Sequence, residues 1–419
     1  MLVGPTKPPS GGIATVINDM LASSLANKID IALLDNSKRT APDRTLLQGI
    51  MSQLQIIREF IAMIRKEKPD LVHIHSGGGR DFFRKSIDVL LAKILRTKVV
   101  FHNKGGDFNL FVENRSFIGR AYVKLILNRC SKVLVLSQWW KDFHSKLTSP
   151  DRISILYNGV NALPYEQKMH RNNARRILGI PKHKIVFLLM GVKGKRKGAY
   201  DVVEAAPLIK RMDSAALLVL VGPDEDIAPG ATNELMELRK DRGVEDVVDM
   251  RGEADEKARH LYYAAADCFL LPSYAENSPV AIIEAMAAKL PVISTTVGAI
   301  PELVDHGKTG LLIQPGRPGE IAEAIIKLSK DHRLRKDMGF AGFRRFHREF
   351  DMERAFVPTI WRAYQDVAFG PNKAAGEQPG DRPDPDATRP AEKADPSEGA
   401  APDIRQRLED AAEQIDNRE

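Results

Sequence analysis

The sequence is poor in cysteine, poor in aromatic residues and free of long apolar runs. Its 419 residues hold two cysteines, Cys130 and Cys268. Two thiols cannot build a disulfide framework or a zinc cluster, and their apolar neighbourhoods point to buried free thiols. No uninterrupted apolar run is long enough to span a bilayer, and the start lacks the charged, apolar and cleavage regions of an export signal. The expected location is therefore cytoplasmic. No zinc finger, RNA-binding signature or aromatic interleaving is present, so nucleic acid is not an expected partner. There is no Ser-His-Asp order, no nucleophile elbow and no convincing metal cluster, so neither a protein nucleophile nor a metal is expected.

What is present is a globular composition, with 43% hydrophobic and 28% charged residues. The length allows two ordinary domains. Charge is uneven. Residues 370–419 carry 7 Lys/Arg and 13 Asp/Glu, while the whole chain is +7. Within 80–146 there are 14 basic and 5 acidic residues. Such a basic stretch suits an anionic partner, and membrane contact there is expected to use Arg84, Lys85, Lys93 and Arg96.

Strand-like and helix-like stretches alternate from the start. Strands are expected at 1–3, 29–34, 71–75, 98–102 and 132–136, with helices at 13–25, 46–66, 85–95, 115–129 and 139–147. The first strand is short because the chain begins almost inside it. An Asn-Gly turn at 158–159 and the charged stretch 161–182 mark a boundary. A second series follows: strands at 185–190, 216–221, 247–250, 268–271, 292–294 and 311–313, and helices at 198–211, 231–242, 255–265, 279–288 and 319–330. Helical segments continue from Arg333 to Ala368. This alternation predicts α/β domains with parallel sheets covered on both faces. The expected division is 1–165, then 166–351, with the helix at about 352–368 packing back on the first domain. The tail 370–419 has seven prolines and no aromatic residue, a composition expected to be disordered.

The densest chemistry lies in Y-A-E-N-S-P-V-A-I-I-E at 274–284. Glu276 falls in a loop, and Glu284 lies inside a helix expected to start at Ser278 as N-cap and Pro279 as first residue. The free N–H groups there suit an anion. Two carboxylates around an anion-ready helix end can hold a sugar, a phosphate and a ribose. Gly298–Glu302 follows the next strand as a glycine turn. Gly191-Val192-Lys193-Gly194-Lys195-Arg196-Lys197-Gly198 brings four cations to a strand end, where they can neutralise a departing diphosphate. It lacks the G-K-[ST] ending of a P-loop. Ser10-Gly11-Gly12 precedes a helix, and its glycines allow close backbone approach to phosphate. His73 and His75 share a strand and are expected on opposite faces, which would keep them off one metal ion. His102 ends a strand before Lys104-Gly105-Gly106-Asp107, a better position for a reactive group.

The combination resembles the family 4 retaining glycosyltransferases of GT-B architecture. The matching stretches are S-G-G-I at 10–13, N-G-V at 158–160, G-(x)5-K-G at 191–198, E-N-S-P-V-A-I-I-E-A-M-A at 276–287, L-P-V-I-S at 290–294 and G-A-I-P-E at 298–302. The resemblance implies two facing Rossmann-like domains, with a nucleoside-diphosphate sugar held mainly by the second and no further cofactor. It places Glu284 on the donor ribose and Glu276, Lys197 and His102 around the reacting sugar and diphosphate. Asn277, Ser278, Pro279 and Val280 would approach the sugar and phosphate. Gly11, Gly12, Gly191, Lys193 and Arg196 complete the expected donor site. The family often has arginine directly after the first glycine of the cationic loop. Here that residue is Val192, and Lys193, Lys195 or Arg196 would have to substitute.

The expected activity is transfer of a sugar to a glycan or lipid-linked acceptor in polysaccharide biosynthesis, at the inner face of the cell membrane. A GT-B-like sugar-nucleotide epimerase would instead turn over without acceptor. A non-catalytic sugar-nucleotide-binding subunit would bind without turnover.

Overall fold

The computed structural model describes residues 1–6, 12–36, 45–166, 169–225 and 233–370. The tail beyond 370 lies outside these residues. Twelve strands among them form two six-stranded parallel sheets. The first contains β1 (Leu2–Gly4), β2 (Leu33–Asp35), β3 (Leu71–Ser76), β4 (Lys98–Asn103), β5 (Lys132–Val135) and β6 (Ile153–Ile155), in the order β2-β1-β3-β4-β5-β6. The second contains β7 (Ile185–Met190), β8 (Ala216–Val221), β9 (Val248–Arg251), β10 (Cys268–Leu271), β11 (Val292–Thr295) and β12 (Gly310–Ile313), in the order β12-β11-β10-β7-β8-β9.

The central strands are nearly continuous apolar runs because helices cover both faces. All six residues of β8 are buried. Cys130 and Cys268 are buried free thiols. Several elements depart from the sequence expectation: the helix at 85–95 begins earlier, at Arg80, and the helix at 13–25 ends at Leu21. The strand at 29–34 shrinks to Leu33–Asp35, because its neighbour β1 offers only three residues to pair. The helix at 115–129 begins at Phe117, where Ser116 accepts from the Gly119 N–H at 3.3 Å. A separate helix, Phe108–Glu113, precedes it. The helix His332–Glu349 stops before Asp351, near the boundary expected at 352, and the Asp351 carboxylate accepts from the N–H groups of Glu353 and Arg354 and starts a new turn.

That break marks a crossing between the sheets. Val160 N–H donates to Phe350 O at 3.0 Å, and Met352 N–H donates to Val160 O at 2.9 Å. The final helix, Val357–Phe369, then lies on the first sheet. Its Val357, Ile360 and Tyr364 are buried with Leu2, Ile17, Val100 and Leu134. Lys98 Nζ donates to Ala368 O at 2.9 Å.

One buried carboxylate joins the middle of the second sheet. Asp267 accepts from Val186 N–H at 2.7 Å, Arg171 at 2.7 Å and Arg175 at 2.5 Å. Arg175 is itself buried, with its other donors on the carbonyls of Ala265, Lys182 and Lys184. Removing the carboxylate strands a guanidinium charge away from water. Asp267→Ala should therefore lower unfolding free energy by about 3–5 kcal/mol, measured as a fall in the urea midpoint at constant slope.

Candidate active site

The strand order of the second sheet reverses between β7 and β10, so the loops leaving their carboxyl ends diverge and open a crevice. Lys197 follows β7 and Glu276 follows β10. Their side chains meet there, with Lys197 Nζ 2.5 Å from Glu276 Oε1. Ser273 Oγ donates to the same oxygen at 3.0 Å, and Arg196 Nη1 stands 3.5 Å away. Arg196 also donates to Ala275 O at 2.9 Å. The Glu276 carboxylate is only 8% exposed, so its charge is held among donors rather than by water.

Two glycines make this approach possible. Gly198 has φ +74°, and a Cβ there would stand 2.2 Å from Pro272 O. Gly298 has φ +55°, and a Cβ would stand 1.8 Å from Glu276 O. The Gly298–Glu302 turn thus supports the Glu276 loop from behind. Glu302 reaches the first domain, accepting from the N–H groups of Gln138 and Trp139 at 2.7 and 2.8 Å.

The helix carrying Glu284 runs Val280–Ala287, one residue later than the sequence suggested. Pro279 takes the N-cap position with extended backbone and makes no side-chain cap. Ser278 therefore does not cap the helix. Its carbonyl accepts from Asn158 Nδ2 at 2.9 Å, and its hydroxyl, like the Asn277 amide, is buried without a protein partner among the described residues. The helix start is left open to a ligand. Glu284 is buried about one turn in, accepting from Tyr263 at 2.8 Å, with Arg259 3.4 Å away.

The first domain closes the other side. Gly12 begins a helix beside Val280, where a Cβ would lie 3.6 Å from Val280 Cγ2. Gly106 approaches the Asn277 backbone, with a Cβ 3.2 Å from its nitrogen. Together these elements enclose a cavity of about 620 Å³. Of the expected residues, Gly12, Gly191, Arg196, Lys197, Asn277, Ser278, Pro279, Val280, Glu276 and Glu284 all line it. Gly11 lies outside the described residues.

Two expected residues do not line it. Lys193 turns aside, donating to Arg251 O at 2.5 Å and standing 3.3 Å from Asp224. His102 is fully buried within the first sheet. It forms a cluster with His73 and His75, whose ring centres are 4.2 Å apart. The expectation of opposite faces is corrected: residues two apart on a strand point to the same face. Ring nitrogens of all three come within 4.8 Å of one another. Burial first, with the nearby Lys104 adding to it, holds all three below their ordinary value and therefore neutral. Burial and nearby Lys104 push His73 down to about 3. His73 Nδ1 pairs with the Tyr364 hydroxyl at 2.7 Å.

Comparison with known proteins bears on the family and the fold. A sequence model of glycosyl transferases group 1 matches residues 170–345, and one of glycosyltransferase family 4 matches residues 11–162. The chain belongs to the family 4 glycosyltransferases. One relative is the N-acetyl-alpha-D-glucosaminyl L-malate synthase of Bacillus anthracis, 27% identical over 75% of this chain and 79% of its own length. Another is the D-inositol 3-phosphate glycosyltransferase of Corynebacterium aurimucosum, 32% identical over 46% of this chain. That alignment spans 47% of the relative, about half its length. Among solved structures, Anabaena HepE in complex with UDP-glucose superposes with a TM-score of 0.66 at 20% identity, covering 88% of this chain and 97% of that one. The fold of this glycosyltransferase is GT-B, two Rossmann-like sheets with their carboxyl ends on a shared cleft.

Sequence reasoning missed Lys104, Asn158, Arg259 and Tyr263 as individual site groups. Lys104 and Asn158 sat in segments already marked, the glycine loop after His102 and the Asn-Gly turn. Tyr263 and Arg259 lie on the Glu256–Ala265 helix, which carries no motif. Their role comes from packing alone.

Lys104 is buried and lines the cavity, and burial lowers its ammonium to about 7. Its charged form is disfavoured in the folded state. The cost is full below about pH 7 and disappears as pH rises toward 10.5, the unfolded value. Lys104→Met should therefore gain stability over the wild type at pH 6.5, with the advantage shrinking between pH 7 and 10 in urea titrations.

Proposed function

We propose that this glycosyltransferase moves a sugar from a nucleoside-diphosphate donor to a glycan or lipid-linked acceptor, with retention at the anomeric carbon. The observation that carries the reading is the convergence of Lys197, Glu276 and the open 280–287 helix end in one cavity. Lys197, Arg196 and the helix N–H groups would meet the diphosphate as negative charge develops on it. Glu276 would hold the sugar, and Glu284, fixed by Tyr263 and Arg259, the ribose hydroxyls. Gly12 and Gly191 would allow backbone approach to the phosphates. The leaving diphosphate is a stable anion and needs no strong general acid. Attack from the face it leaves would retain configuration without a covalent intermediate. His102 lies behind the cavity wall, so its part would be to support the glycine loop beside the sugar.

The names of two relatives support anionic small acceptors, malate and inositol phosphate, as a further class to test. UDP-sugars come first as donors to test, since HepE was solved with UDP-glucose. Purified protein with UDP-, GDP- and ADP-sugars should release diphosphate only when membrane lipid extract is added. Glu276→Ala and Lys197→Met should each lower turnover by about 10²–10³-fold. NMR of the product should show the donor's anomeric configuration. Conversion of the donor to an epimeric nucleotide sugar without acceptor would favour an epimerase, and binding without turnover a non-catalytic subunit.

A lipid-linked acceptor calls for contact with an anionic membrane. Among the described residues no helix is long and apolar enough to cross one. Of the cations expected to make contact, Lys85 is excluded, because it is buried 3.7 Å from Asp88. Arg84 is paired with Asp81 at 2.7 Å. The better surface is the Phe117–Arg129 helix and its approach, where Leu110, Phe117 and Ile118 are 56%, 84% and 79% exposed. Arg115, Arg120 and Lys124 are exposed beside them. Leu110 also lines the cavity, so the surface is continuous with the cleft. The wild type should sediment with phosphatidylglycerol vesicles and not with phosphatidylcholine. Arg120→Gln with Lys124→Gln should weaken binding by about 1 kcal/mol per charge, and Phe117→Ser with Ile118→Ser should weaken it at high salt as well.

A further inference from the structure

The cavity holds four cationic side chains, and three of them face carboxylates. Lys197 and Arg196 share Glu276, and Arg259 stands beside Glu284. Lys104 is the exception. It is 9% exposed, and among the described residues its ammonium has one hydrogen-bond partner, the neutral Asn158 amide, with Nζ donating to Oδ1 at 2.8 Å. Among the described residues no carboxylate lies within ion-pair distance of it. A buried ammonium without an anion pays a large desolvation cost and is retained only where something repays it.

The surroundings show where that anion would sit. Asn158 passes the contact on, donating to Ser278 O at 2.9 Å. Lys104 is thus tied to the residue before the open helix end, next to the unpartnered Asn277 amide and Ser278 hydroxyl. The first domain's loop and the second domain's helix converge on one uncompensated positive region. The charged groups around Lys104 do not supply the anion. Asp107, on the same loop, lines the cavity without pairing to it. His73, His75 and His102 lie behind it and are neutral. The Lys197–Glu276 and Arg259–Glu284 pairs belong to the opposite wall.

We infer that Lys104 is an oxyanion receptor supplied by the first domain, completing its ion pair with a phosphate group of the bound substrates. The inference rests on the nucleotide-sugar reading above and adds a residue that reading does not use. Phosphate could arrive as the donor's diphosphate or on the acceptor, and both present the same chemistry to the ammonium. Empty, Lys104 is largely neutral above pH 7, since burial holds it to about 7. A bound anion stabilises the charged form, so binding must take up a proton from solvent.

Proton uptake is read by isothermal calorimetry in buffers of different ionisation enthalpy. At pH 7.5 the wild-type chain would be titrated with UDP, and with sn-glycerol 1-phosphate in the presence and absence of UDP. Lys104→Met should bind the relevant probe at least tenfold more weakly and lose the uptake. Lys104→Arg, always charged, should retain binding and also lose the uptake. Uptake of more than about half a proton with UDP, absent in both variants, assigns Lys104 to the donor diphosphate. The same difference with glycerol phosphate assigns it to the acceptor. Equal uptake by wild type and Lys104→Met with both probes overturns the inference. If UDP fails to bind the wild type, the donor reading falls, and the glycerol phosphate arm still tests Lys104.

Discussion

Parallel strands impose one constraint on everything else in this molecule. Every strand of a parallel sheet ends at the same edge, so every loop that follows a strand gathers there. Two such sheets present those edges to a common cavity. Gly12 and Lys104 come from the first, and Lys197 and Glu276 from the second. The chain separates these residues by up to 264 positions, yet the sheets return each of them to one place. The glycines at 198 and 298 then allow the loops to pack closely enough for Lys197 to meet Glu276.

The cavity is polar in a particular way. Its carboxylates are held by donors, its helix end is uncapped, and the side chains of Asn277 and Ser278 have no partner among the described residues. Buried polar groups are normally satisfied, so such a concentration of open valences in one place belongs to a ligand. Cores elsewhere follow ordinary rules. Asp267 and Arg175, equally buried, are fully bonded and serve the sheet rather than the cleft.

Much of the fold was legible because its signals are local. The strands at 185–190, 216–221 and 268–271 read as short apolar runs between breakers, and the structure has them at those residues. The Glu276–Glu284 segment was legible as a constellation, since its parts are contiguous. Tyr263 and Arg259 were not, because they reach Glu284 only through packing of the 256–265 helix. Ser278 looked like a cap by residue type, but Pro279 and the bond from Asn158 settle the helix start differently. Lys193 stood in a loop of four cations whose side-chain directions no pattern could distinguish. The histidines were misjudged by one step of strand alternation, and their contacts follow at once from the correct period.

The return of the last helix has a consequence for how the protein is made. Val357, Ile360 and Tyr364 cover apolar residues of β1, β4 and β5, which emerge from the ribosome more than two hundred residues earlier. At bacterial and eukaryotic synthesis rates that gap lasts roughly 10–50 s. Through that interval the face of the first sheet is covered only in part, by Ile17 and Met20 of the early helix, while the second sheet can assemble from contiguous chain. The half of the enzyme translated first is therefore the last to be finished, and the nascent chain must keep that face from other partners until its own end arrives.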